Sequence, residues 1–289
     1  MEFVSLRNDL LFHMVFTRNE QALKGLLSVL LNIPEERIIR TEVLNPMQYS
    51  EALDTKVTVL DLKVHLNDCT YILVEMQVRK FVEWINRTVV YTCRQVADQV
   101  HDNFDYSKLE PVIHISIMDY SLFPDHKRFF KAYRLTDDEG YMYTDRIQFW
   151  VMDLTQIDSA TEEQKVQGLV EWAKAFRANS WDEVKRIQNA AVREAAKTME
   201  LIITNPSERE ILRMRQDAMN DWITMRNSER REGRKEGMEE GRKEGRKEGR
   251  KEGIKETQLE VAQKLKGKGI DLDLIAESTG LSLSEIDQL

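Results

Sequence analysis

The sequence predicts an α/β protein in which helices flank a mixed sheet, with a helical extension at the C-terminus. Three observations predict it. The apolar period is helical over residues 10–31, two-residue over 38–78, and helical again over 84–103. The run Val112-Ile113-His114-Ile115-Ser116-Ile117-Met118 then reads as a strand, as do 129–135 and 147–154. Beyond Ala160 the pattern is helical to the end.

Taken in order, Leu10, Leu11, Met14 and Val15 follow the capping pair Asn8-Asp9, and Ala22, Leu23, Leu26, Leu27, Leu30 and Leu31 form a second stripe. Two helices therefore end near Asn32-Ile33-Pro34. Residues 38–44 form a strand, and 56–66 and 70–78 form a hairpin turning at Asn67-Asp68. The next helix has its periodicity in Val90, Cys93, Val96, Ala97 and Val100. Helices are expected over 161–177, over 181–198 with Ser180 as N-cap, and over 207–230 after Pro206.

With 42% hydrophobic and 32% charged residues, and only 12 glycines and 5 prolines in 289 residues, the chain can bury a sizeable core and is neither collagen-like nor disordered. The net charge is −8, so no global basic field draws it to nucleic acid and any DNA contact must be a local patch. Cys69 and Cys93 fit no metal-ligand or CxxC spacing and read as free thiols of a reducing cytosol. No export signal opens the sequence, and the apolar run 26–33 is too short to span a bilayer. A cytoplasmic location without a membrane anchor is expected.

In the hairpin, Leu60, Leu62, Val64 and Leu66 share parity, as do Ile72, Val74, Met76 and Val78. The opposite face carries Asp61, Lys63 and His65, then Tyr71, Leu73, Glu75 and Gln77. Both apolar sets share one face only if paired positions sum to an even number, and Leu66 opposite Thr70 sets that sum at 136. This register pairs Asp61 with Glu75 at a Cβ separation of about 4.5–5.5 Å, with Gln77 and Lys63 diagonal to them. Two opposed acids repel unless a cation lies between them. Hard oxygen ligands with a polar neighbour suit a Mg²⁺ site for phosphodiester cleavage. The same pattern also describes a solvated strand face on which Lys63 neutralises both acids.

These residues resemble the PD-(D/E)XK nuclease superfamily, and within it the Rpn recombination-promoting nucleases, or PD-(D/E)XK family transposases. Asn8-Asp9-Leu10-Leu11-Phe12, Leu60-Asp61-Leu62-Lys63, Val74-Glu75-Met76-Gln77, Arg87 with Tyr91, and 111–117 carry the likeness, which runs from about residue 8 to 253. The resemblance implies a restriction-endonuclease-like core and DNA cleavage dependent on Mg²⁺ or Mn²⁺. Asp61 and Glu75 would hold the metal, with the Met76 carbonyl as a further oxygen, and Asp9 would be either another acid near it or a plain helix cap. Gln77 stands where many relatives carry the catalytic lysine. It can orient water or a phosphate oxygen but cannot carry a proton, and Lys63 on the same face would supply the missing charge.

Arg87, Tyr91 and Gln95 recur every four residues, and with Arg79 and Lys80 upstream they are candidates for DNA contact. An arginine packing its stem on the sheet has the same spacing. Lys127, Arg128, Lys131 and Arg134 interleave with Phe129, Phe130 and Tyr133, which suits either DNA or a charged edge strand. None of the five histidines has ligand spacing, and His65 reads as an exposed neighbour of the turn.

Six of the twelve glycines recur every four residues from Gly233 to Gly253. The segment 230–256 holds eleven Lys/Arg and eight Glu, so it is +3 and the remainder is −8 − 3 = −11. Each helical glycine costs about 1 kcal/mol against Ala, and i,i+4 neighbours here carry like charges, so this ladder should fray in isolation. It is either a solvated spacer or a stripe for self-association, and the latter makes a homo-oligomer the expected state. The last residues resemble a helix-turn-helix bend at Gly280 with Ser282 as N-cap. The second helix is short and lacks Arg or Lys, which favours a docking module over base readout.

The expected division is 1–160 nuclease-like core, 161–230 helical extension, 231–256 tetrad-repeat tail and 257–289 small helical module. The expected function is metal-dependent DNA cleavage of the recombination-promoting type by a metal-activated water. The alternative is a DNA- or protein-binding member of the same fold with little or no turnover.

Overall fold

The computed structural model describes residues 2–44 and 62–289. The chain forms two compact units, Met1–Gln216 and Asp217–Leu289. The first opens with α1 (Asp9–Arg18) and α2 (Glu20–Leu31). Asn8 and Asn19 start them by accepting from Leu11 N and Ala22 N, each at 2.9 Å. Asn32, in the left-handed region at φ 54°, ends the second.

The strands are β1 (Thr41–Leu44), β2 (Leu62–Leu66), β3 (Thr70–Gln77), β4 (Val112–Met118), β5 (Phe130–Thr136) and β6 (Met142–Asp153), with α3 (Trp84–Ala97) between β3 and β4. They form one six-stranded sheet in the order β1-β2-β3-β4-β6-β5. The β3/β4 and β4/β6 pairs are parallel and the others antiparallel, so the expected mixed sheet forms. The last strand begins at Met142, five residues before its expected start at 147.

The described pairs of the β2–β3 hairpin, Leu62↔Val74 through Leu66↔Thr70, all have the sum of 136 that parity requires. Asn67 and Asp68, both at φ 53°, supply the two left-handed residues of its turn. Asp61 and the strand expected over 56–60 lie outside the described residues.

The register sorts the sheet into two faces. Leu62, Val64, Leu66, Ile72, Val74, Met76, Ile113, Ile115 and Ile117 enter a core with Phe12 and Phe16 of α1, Leu26 and Leu30 of α2, and further helices from beyond the sheet. The other face carries Lys63, Glu75, Gln77, His114 and Ser116 and is covered by α3.

The polar face of α3 is the one turned to the sheet, which fits the reading of an arginine packing there. The apolar residues that mark α3 as a helix face outward: Val89 and Val90 are exposed, as are Cys93 and Ala97, while Trp84, Thr88, Thr92 and Gln95 are buried. The reason is the surface beneath. A strand face bearing a carboxylate, an imidazole and a hydroxyl needs hydrogen-bonding partners, which aliphatic side chains cannot provide.

After the sheet come α4 (Glu162–Gln167), α5 (Leu169–Arg177), α6 (Trp181–Lys185) and α7 (Ala190–Thr204). The two helices expected over 161–177 and 181–198 are each broken in two. Gly168, at φ 94°, ends the first piece, and Asn189 caps α7 anew by accepting from Val192 N at 3.0 Å. Trp172 and Phe176 of α5 and Val192 and Met199 of α7 share the core of the sheet.

The long helix α8 runs from Pro206 to Lys266. The glycine ladder, expected to fray, is helical throughout. Nucleation is the costly step of helix formation, and this helix is anchored on both sides of the ladder, by Leu212 and by Ala262, each buried in a cluster. In the second unit α9 (Leu272–Thr279) ends at Gly280, φ 75°, and α10 (Leu283–Asp287) starts from a Ser282–Glu285 capping box, as the sequence indicates. Ala262, Ile275, Leu281 and Ile286 form its core, and Lys266 Nζ donates to the carbonyls of Ile286 and Asp287 at 2.9 Å. Among the described residues no helix is long and apolar enough to cross a membrane, and both cysteines are free and exposed.

Candidate active site

Glu75 lies on β3 facing α3 and is only 2% exposed. A carboxylate withdrawn from water this far needs partners, and the neighbouring elements provide them unevenly. Arg87 Nη2, from the first turn of α3, reaches Glu75 Oε1 at 3.3 Å. The guanidinium is held over the rings of Tyr91 and Trp84, 5.0 and 5.6 Å from their centroids. The i, i+4 spacing of Arg87 and Tyr91 makes this clamp possible.

On the other side of Glu75 stands β4. His114 Nε2 approaches Glu75 Oε2 to 3.3 Å without the alignment of a hydrogen bond. Neither atom, nor Arg87 Nε, has a hydrogen-bond partner among the described residues. His114 Nδ1 lies 3.4 Å from Ser116 Oγ, which accepts from Trp84 Nε1 at 3.2 Å. Glu75, His114, Ser116 and Trp84, all buried, and the partly exposed Arg87 thus form one polar cluster between the sheet and α3.

The other candidate residues are distributed as follows. Asp61 lies outside the described residues. Lys63, on the face of β2 opposite the apolar Leu62, Val64 and Leu66, has its ammonium pKa lowered by burial, partly offset by the Asp98 carboxylate. Gln77 ends β3, where its Nε2 donates to the Arg79 carbonyl at 3.2 Å. Arg79 and Lys80 are exposed just beyond. Asp9 is not brought to this cluster. It heads α1, which packs on the opposite face of the sheet, and its Oδ2 is paired with Arg215 at 2.9 Å. The cap of α1 is Asn8.

Lys127, Arg128 and Lys131 are exposed on and before β5, which is an edge strand of the sheet. Lys131 pairs with Val151, Val151 with Ser116 and Ser116 with Glu75, so the lysine shares a row and a face with the carboxylate. Three strand spacings put it about 14 Å away.

His65 is more enclosed than its place beside the turn suggests: it stacks on Tyr71 at 4.3 Å and its Nε2 lies 2.6 Å from Glu110 Oε2. Glu42, His65 and Asp68 bring one ligand atom each within 4.8 Å of one another. Arg40, however, already pairs with both carboxylates, at 3.3 and 3.0 Å. One guanidinium thus offsets part of the charge of the two acids.

Sequence reasoning missed His114 and Ser116 because it looked for ligand spacings. The available signal was alternation within β4, where both interrupt a run of isoleucines and so give that strand a polar face.

Neither the curated proteins nor the solved structures returned a match to this chain. A family model described as PD-(D/E)XK nuclease family transposase matches residues 6–229, which takes in the whole sheet, and the six-stranded mixed sheet flanked by helices is consistent with that nuclease fold. The chain belongs to the PD-(D/E)XK nuclease family transposases.

Proposed function

We propose that this protein is a divalent-metal-dependent DNA endonuclease that hydrolyses phosphodiester bonds, with Asp61 and Glu75 as carboxylate ligands. The single observation that carries the reading is Glu75 itself: buried, with Oε1 held by Arg87 and Oε2 left without a hydrogen bond. Nucleases of this superfamily generally use divalent metals, and a hard cation suits that donor set. Bound there, the cation would offset phosphate charge and acidify water.

The chain's own residues have separable tasks in this proposal. Asp61 would complete the carboxylate pair, a placement supported by the register sum of 136 in every described pair of the hairpin. Arg87 fixes the rotamer of Glu75. Gln77, at the strand end, offers an amide to orient water or a phosphate oxygen. Lys63 supplies a cation on the same face, where burial lowers its pKa and the Asp98 carboxylate partly offsets that shift. Arg79, Lys80, Lys127, Arg128 and Lys131 provide exposed positive charge for the DNA backbone.

A plasmid assay tests this. Wild type should nick supercoiled DNA in Mg²⁺ or Mn²⁺ and stop on chelation. Asp61→Ala should lose more than about 100-fold in rate, since even outer groups around a metal are worth 10–100-fold, while its circular dichroism stays unchanged. Undiminished cleavage by that variant would sink the assignment. The enclosure of Glu75 and the Gln at position 77 favour a second reading, a DNA-binding member without turnover. It requires DNA affinity that is salt-sensitive, indifferent to Asp61→Ala, and unaccompanied by nicking.

A further inference from the structure

We propose that His114 Nε2 is a further protein ligand of the cation, sharing it with Glu75 Oε2 and making the site a mixed nitrogen and oxygen centre. The inference rests on the reading of Glu75 as a metal ligand and goes beyond it.

Two lone-pair atoms 3.3 Å apart, both buried and both without a hydrogen bond, are an unfavourable pair unless something positive binds them together. The separation matches one edge of a coordination shell. Ligands about 2.1–2.3 Å from a cation and roughly at right angles lie about 3.0–3.3 Å apart. The second shell supports the same assignment. Trp84 Nε1 is only a donor, so Ser116 Oγ must accept from it, and the remaining lone pair of Oγ can accept from a protonated Nδ1 of His114. That tautomer leaves the lone pair on Nε2, which points at Glu75. Metal-binding imidazoles are commonly held through their second nitrogen in this way. Arg87 occupies Oε1, so Oε2 is the oxygen left to bind. The ring cannot swing away, because His114 is 1% exposed and packs edge-on to Trp84 at 6.4 Å.

The consequence is metal selectivity. Imidazole suits Co²⁺, Ni²⁺ and Zn²⁺, and affinity for a site with nitrogen rises from Mn²⁺ through Co²⁺ to Ni²⁺, whereas Mg²⁺ and Ca²⁺ take oxygen. The full-length protein should therefore bind Mn²⁺ and Co²⁺ more tightly than Mg²⁺ in titration calorimetry. His114→Ala should weaken Mn²⁺ and Co²⁺ at least about 10-fold while changing Mg²⁺ less. Electron spin-echo spectroscopy of Mn²⁺ on the wild type should show ¹⁴N coupling from imidazole, a readout independent of whether any variant folds.

Absence of that coupling in metal-bound wild type, or unchanged Co²⁺ affinity in a folded His114→Ala, overturns the assignment. If Glu75→Gln nevertheless loses Mn²⁺, the proposed function survives without His114. Failure of wild type to bind any of the three metals overturns both.

Discussion

Glu75 has one oxygen committed to Arg87 and one uncommitted, and it is the residue at which fold and proposed chemistry compete. Lys63, on the neighbouring strand, shows the same competition with the opposite charge. Burial lowers its pKa from the ordinary 10.5, and Asp98 recovers only part of that shift. The unfolded chain therefore holds this proton more firmly than the folded one. The resulting penalty is fully present below the folded pKa and disappears as pH rises towards 10.5. Lys63→Met should accordingly be more stable than wild type at pH 7, with an advantage that shrinks between the folded pKa and 10.5. If Lys63 also acts in the proposed chemistry, the same variant nicks plasmid more slowly. Urea melts across pH and the plasmid assay read the two effects separately, and a variant less stable than wild type at neutral pH would contradict the argument.

At the level of elements, α2 packs closely against α7. A Cβ built on Gly25 would lie 2.1 Å from Ala191 Cβ, and both positions are anchored in helix backbone. Gly25→Ala should cost about 1–3 kcal/mol through overpacking, despite the better helix propensity of alanine, and Ala191→Gly should recover much of it. A denaturant series on the two single variants and the double variant checks this. The pairing of β2 with β3 was legible in the sequence because strand parity leaves few registers once two apolar sets must share a face. The orientation of α3 was legible only in part. Amphipathic reasoning assumes an apolar surface beneath a helix, and here that surface holds Glu75, His114 and Ser116, so Arg87 and Thr92 turn inward and Val90 turns out. The breaks at Gly168 and Asn189 were masked for another reason: each residue is a known stop or start signal, but each sits inside an apolar pattern that runs on in helical period across it.

Over the whole molecule, charge decides how DNA can be approached. The chain is −8 at neutral pH, while eleven Lys/Arg lie between residues 230 and 256. Two modes of binding therefore predict different salt responses. If the proposed contacts Arg79, Lys80, Lys127, Arg128 and Lys131 carry the DNA, five phosphates are neutralised. The logarithm of affinity should then fall against the logarithm of salt with a slope no steeper than about −4.5, since each phosphate contributes about −0.9. If the ladder binds instead, its eleven cations allow a slope about twice as steep, softened by its eight glutamates. Fluorescence anisotropy with a short duplex, at fixed metal and varied NaCl, separates the two. Lys131→Ala should make the slope shallower by about 0.9 and weaken binding to all sequences alike, because a lysine on an edge strand about 14 Å from Glu75 meets phosphate rather than base. A slope unchanged by Lys131→Ala, yet flattened when the ladder's arginines are replaced by glutamine, would move the DNA from the sheet to the tail.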